Sequence, residues 1–149
     1  MHKTTLIPIN RIYQETVKEV SVKTKKLQTP QDGVDVVKEL ISNTGSAHYV
    51  VMSLNESYEV TSKEIVHLGA LNDNLIHPRD MFKNALLSNA VAIVIAHNHP
   101  SHILKPSEEE IATTKQFIEA GQLIGIRVID HIIVNDRDQY YSMKMLEDI

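Results

Sequence analysis

The sequence predicts an α+β fold, a mixed β-sheet flanked by helices, and three observations carry that expectation. The first is Ala90-Val91-Ala92-Ile93-Val94-Ile95-Ala96, seven small or β-branched apolar residues with no polar break. So short and apolar a run reads as a buried central strand. The second is a hairpin pattern, Tyr49–Leu54 and about Glu59–Leu68 around the turn Asn55-Glu56-Ser57. The third is that helical segments are mixed with these strands rather than strictly alternating with them, which favours α+β over a wholly parallel sheet.

The elements follow in order. Residues 1–28 form an N-terminal extended arm, with Ile7, Ile9, Val17, Val20 and Val22 among polar residues. A strand around Thr16–Val22 is expected there, on a sheet edge or against a second copy, so the arm is where a homodimer would form. Lys23, Lys25 and Lys26 read as a solvated turn. A single domain then occupies 29–149. Thr29 caps its first helix with Pro30 at the first helical position; Val34, Val37, Leu40 and Ile41 form the apolar stripe and Gly45 ends it. After the hairpin, Gly69 and Asn72-Asp73-Asn74 break the chain. His77-Pro78-Arg79-Asp80 opens a second helix that buries Met81, Phe82, Ala85 and Leu86 and closes at Asn89. The central strand follows. A third helix runs from Ser107 to about Ala120 with Ile111, Phe117 and Ile118 inward, its end bracketed by Gly121 and Gly125. Ile126–Val134 is a β-branched strand, Asp136-Arg137-Asp138 a turn, and Tyr140-Tyr141 a last short strand before a C-terminal tail.

Composition narrows the function classes. Hydrophobic residues make up 42% and charged residues 23%, ordinary values for a soluble globular chain. No apolar run approaches the roughly 20 residues that span a bilayer, and no secretory leader is evident, so a cytoplasmic protein with no membrane partner is expected. There are no cysteines, so any metal must be held by His, Asp or Glu. Residues 1–30 carry six Lys/Arg against two acids, a charge of +4; the remainder carry nine against seventeen, a charge of −8, and the total is −4. Neither value is the basic footprint of a nucleic-acid partner.

The chemistry concentrates behind the central strand, at His97-Asn98-His99-Pro100-Ser101 and Pro106-Ser107-Glu108-Glu109-Glu110. Alternate strand residues leave on one face, so both imidazoles can converge on one point before Pro100 stops the strand. Ser107 is placed as a helix N-cap, which puts Glu110 in the first turn looking back towards the strand end. Two imidazoles and a carboxylate around an open fourth position are a ligand set typical of catalytic zinc. The plainer alternative is a capping box, with Glu110 bonding the Ser107 amide and nothing else.

His-x-His, seven residues, Ser, two residues and an acid resembles the JAMM signature of the JAB/MPN metalloproteases. The stretch from His97 to Ser101, together with His77-Pro78-Arg79-Asp80, Ala120-Gly121, Leu123-Ile124-Gly125-Ile126 and Asp130-His131-Ile132-Ile133-Val134, resembles the bacterial RadC family over roughly residues 29 to 142. The resemblance implies an MPN/JAB fold, a cytidine-deaminase-like three-layer arrangement, and a zinc-dependent hydrolase cutting a peptide or isopeptide bond in a peptide or protein substrate. It implies Zn²⁺ on His97, His99 and Glu110, lowering the pKa of its water to about 7, with Ser107 as the oxyanion donor.

Two departures stand out. The family's third ligand is Asp, and here it is Glu110. The family's distant glutamate, which takes the proton from the metal's water, falls on Ala47 when its pattern is laid on Ser46-Ala47-His48-Tyr49-Val50-Val51, and no acid lies between Glu39 and Glu56. His48 is the neighbouring alternative, although adjacent strand residues face opposite ways. His102 lies in the site loop and is expected to face solvent; His67 and His77 read as structural. Asp130-His131 is either a buried polar pair that fixes its strand or an outer bond to a ligating histidine. The leading expectation is a metallopeptidase of weakened activity. A metal-binding protein-interaction module without catalysis is the alternative, and a DNA-repair factor rests on the family's traditional label alone.

Overall fold

A computed structural model describes residues 25–41, 47–66 and 76–149. The expected N-terminal strand at Thr16–Val22, Gly45, His67, Gly69 and the break at Asn72-Asp73-Asn74 lie outside the described residues. Five strands form one mixed sheet: β1 (Tyr49–Leu54), β2 (Val60–Val66), β3 (Ala92–Asn98), β4 (Arg127–Val134) and β5 (Tyr140–Ser142), in the order β2-β1-β3-β4-β5. Only β3 and β4 run parallel; the other neighbours are antiparallel. Three helices, α1 (Pro30–Ile41), α2 (Pro78–Leu87) and α3 (Glu108–Ile124), complete the α+β arrangement.

Strand alternation divides the interior into two cores. Val50, Met52, Leu54, Ala92, Val94, Ala96, Ile132 and Val134 pack against Val34, Val37 and Ile41 of α1. Val51, Ile93 and Ile95 face the other way, against Met81, Phe82 and Ala85 of α2 and Phe117 of α3. The molecule is thus three layers, with β3 in the middle strand position. β3 begins two residues later than the apolar run and continues through His97 and Asn98. Its alternation places His97 on the face of Ile93 and Ile95.

Three expectations need correction. Leu86 is not buried but 58% exposed, because the stripe of α2 centres on Met81, Phe82 and Ala85 and Leu86 falls past its edge. Ile111 and Ile118 are only half-buried; the inner face of α3 is carried by Thr114, Phe117 and Gly121. Nor does Gly121 end that helix. It lies inside α3 where the chain passes closely: a Cβ there would stand 2.2 Å from the Ile126 carbonyl oxygen and 3.1 Å from Phe82. The helix stops at Gly125, a left-handed residue with φ 75°.

Candidate metal centre

β3 and the start of α3 bring together three side chains. His97 closes the buried end of β3, and His99 lies just beyond it, its backbone N–H bonded to the Val134 carbonyl at 2.8 Å. Ser107 caps α3 as its pattern foretold: its hydroxyl accepts the Glu110 N–H at 3.1 Å, and Glu110 Oε2 accepts the Ser107 N–H at 2.9 Å. The capping-box alternative and the ligand alternative turn out to be compatible. While Oε2 serves the cap, Oε1 lies 3.0 Å from His99 Nε2 and 3.2 Å from His97 Nε2. The two Nε2 atoms are 2.8 Å apart. Glu108 and Glu109 are exposed, turned elsewhere by the helix.

The donor set fits a small divalent cation. Ligand atoms at about 2.05 Å from a tetrahedral zinc stand about 3.3 Å from one another, so the triangle needs to open by only a few tenths of an ångström. His99 Nδ1 lies 2.8 Å from the Ile103 carbonyl oxygen. That oxygen can only accept, so Nδ1 carries the proton and the neutral ring turns a lone pair on Nε2 inward. Lone pairs and a carboxylate oxygen facing one another at such distances call for a positive charge between them, a proton or a metal ion. Among the described residues, His97, His99 and Glu110 are the group whose ligand atoms converge in this way.

The electrostatics of the two histidines differ. Burial pushes the His97 imidazole down, against the opposing pull of Glu110, and so favours the neutral ring a metal requires. Hydrogen bonding to Glu110 raises His99, against the effect of its own burial. Burial alone would raise the Glu110 carboxyl, but bonds from His97, His99 and the Ser107 amide outweigh it and hold the group well below the usual carboxylate range.

The wall of the site comes from β1. Tyr49 pairs with His97 in the antiparallel register, and its ring stacks on the imidazole with centroids 4.7 Å apart and planes inclined by 18°. Continuing that register by two residues sets Ala47 opposite His99. No second carboxylate joins the cluster among the described residues. The His48 N–H is bonded to Asn98 Oδ1 at 2.6 Å, so this segment is tied to the end of β3. A sequence profile of the RadC-like JAB domain matches residues 27–148. The chain belongs to the RadC-like JAB family. It is 38% identical over 118 residues to a UPF0758 protein of Desulforamulus reducens, 40% identical over 118 residues to one of Rubrobacter xylanophilus, and 36% identical over 118 residues to UPF0758 protein YsxA of Bacillus subtilis. Each match covers 79% of this chain and 51–52% of the relative, so the chain spans about half the length of the curated relatives it matches.

Other residues of this RadC-like JAB domain divide between the site and the scaffold. His102 bonds Asp136 at 3.0 Å on the surface, where the sequence placed it. His77 precedes α2 without a side-chain cap. The pair Asp130-His131 splits its two proposed roles. Asp130 accepts from the Ser142 hydroxyl at 2.6 Å and from the Lys144 N–H at 3.1 Å, pinning β5 and the tail. His131, on the opposite face, sends Nε2 to within 2.7 Å of His97 Nδ1. Thr114, which sequence reading passed over, completes this contact by meeting His131 Nδ1 at 2.6 Å. A cavity on the α1 face, lined by Leu27, Pro30, Tyr58 and Ile129 among others, lies across the sheet from this chemistry.

Proposed function

We propose that the domain binds one zinc ion through His97, His99 and Glu110 and acts as a slow JAMM-type hydrolase of peptide or isopeptide bonds. The observation that carries this reading is the convergence of three ligand atoms within 2.8–3.2 Å of one another. Bound zinc supplies a Lewis acid that acidifies water and polarises a carbonyl. The chain supplies the rest. His97 and Glu110 hold fixed positions from opposite sides, one on the central strand and one on a capped helix. Ser107, whose hydroxyl accepts within the cap, keeps its own proton to donate to a developing oxyanion, a contribution of about 10²–10³ in rate for a well-placed donor. At the position of the family's proton-accepting glutamate stands Ala47, and no second carboxylate joins the cluster among the described residues.

That absence favours a second reading, a JAB module that binds a metal without turnover and serves in protein interaction. General-base catalysis contributes about 10²–10⁴-fold, and Ala47 cannot provide it. Restoration separates the two readings. Metal analysis after dialysis should find about one zinc per chain, and Ala47→Glu should raise cleavage of an unfolded protein substrate by up to that factor with little change in zinc affinity. Zinc binding with no cleavage in either protein would select the module. A protein that refuses added zinc would overturn both.

A further inference from the structure

The placement of protons around His97 carries the site one shell further out. Its Nε2 can ligate a cation only if the proton of the neutral ring sits on Nδ1. Nδ1 faces His131 Nε2 at 2.7 Å, with the two residues 2% and 1% exposed. Between two imidazole nitrogens one must donate and the other accept, and the contact itself is silent on which does so.

The direction is decided at the far end of the chain of contacts. His131 Nδ1 lies 2.6 Å from the hydroxyl oxygen of Thr114, itself fully buried. That hydroxyl donates to the Glu110 backbone carbonyl at 2.7 Å, four residues back on α3. A carbonyl can only accept, so the hydroxyl proton is committed and its oxygen offers a lone pair to His131. His131 then carries its proton on Nδ1, its Nε2 accepts, and His97 donates from Nδ1. We propose that Thr114 and His131 are positioning residues that set the tautomer of His97, leaving its Nε2 lone pair for the metal. The proposal rests on reading His97, His99 and Glu110 as a metal site.

The competing arrangement makes the stakes concrete. If Thr114 turned its proton to His131, every proton in the row would move one place. His131 would donate from Nε2, and His97 would present an N–H to Glu110 that cannot ligate. Both rows satisfy both rings, and the Glu110 carbonyl is what separates them. One residue therefore governs two ligands: its carboxylate is the third ligand, and its backbone oxygen orients the first. A metal-ligating histidine commonly donates its outer N–H to a carboxylate or carbonyl. Here the acceptor is a neutral ring, which adds no negative charge around the cation.

Nitrogen-15 spectra of histidine-labelled protein, metal-free and zinc-loaded, read the tautomers directly. Both His97 and His131 should carry the proton on Nδ1 in the metal-free protein. A ring of either residue that bears a proton on Nε2 and none on Nδ1 would overturn the proposal. Thr114→Val removes the acceptor with little change in volume; it should move the His131 proton to Nε2 and weaken zinc binding by about 10–100-fold, the range typical of outer partners. Thr114→Ser should retain both properties. His131→Gln, whose amide can accept from His97 and donate to Thr114, should bind zinc more tightly than His131→Leu. Unchanged tautomers in Thr114→Val would also overturn the proposal; if that variant fails to fold, the wild-type spectra still decide. If the wild-type tautomers are as stated but zinc does not bind, the relay stands and the metal reading falls.

Discussion

The two oxygens of the Glu110 carboxylate have separate partners, the Ser107 amide for Oε2 and the two histidines for Oε1. Glu109, one residue earlier, is exposed and shares neither contact. Glu110→Ala removes the anionic member of the proposed ligand set outright, so it should weaken zinc binding by more than the roughly 10–100-fold of an outer partner. Glu109→Ala should leave affinity nearly unchanged. Competition against a chelating dye measures both, and equal losses would show that the first turn of α3 is wrongly registered. At this scale the convergence of these three side chains was legible because each rule involved is local: alternation along a strand fixes His97 and His99, and the N3 position of a capping box fixes Glu110. Thr114 was not. Nothing in Ala112-Thr113-Thr114-Lys115 distinguishes the threonine that meets a buried histidine seventeen residues away; that information belongs to the packing of α3 on β4.

Between elements, the deciding contacts are those of α3 with its neighbours. Gly121 and Gly125 look alike in the sequence and read equally as helix stops, yet they do different work. At Gly121 an added methyl would collide with backbone, at 2.2 Å from the Ile126 carbonyl oxygen. At Gly125 nothing lies within 4 Å and the only obstacle is the left-handed conformation. Left-handed backbone costs an L-residue roughly 1–2 kcal/mol. Forced overpacking typically costs about 1–3 kcal/mol and more where backbone must move. Gly121→Ala should therefore destabilise the protein more than Gly125→Ala does, as urea denaturation would record; the reverse order would mean that α3 sits further from Ile126 than described. The stripe of α2 was similarly over-read at Leu86, since helical spacing tells which residues share a face but not how wide a neighbour's surface is.

For the molecule as a whole, the mixed sheet with flanking helices followed from strand and helix patterns, with β3 at its centre as its unbroken apolar run required, whereas the three-layer arrangement was implied by the family resemblance alone. The parallel pairing of β3 with β4 could not be read from either strand alone, and it is this pairing that sets His131 beside His97. Because the proposed ligands come from separate elements, a cation that binds the folded chain alone must stabilise all of it. Free zinc at 100 times its dissociation constant contributes about 2.7 kcal/mol. At about 2–4 °C per kcal/mol for a domain of about this size, Tm should rise by about 5–11 °C, and a chelator should reverse the rise. No shift at saturating zinc would mean that the unfolded chain binds as well as the folded one, or that neither binds.

The division of ligands between a central strand and the first turn of a helix also bears on time. Strands at the middle of a sheet open only when the whole domain does, whereas helix ends fray at little cost in free energy. Two of the three arms of the proposed site are anchored on or beside β3 and the third sits on the first turn of α3, secured by the Ser107 cap. A bound ion would leave when that turn lifts, so its residence time follows the cap rather than the lifetime of the fold. Isotopic zinc exchange should outpace global unfolding and quicken further in Ser107→Ala. Exchange no faster than unfolding would place the gate in the sheet instead.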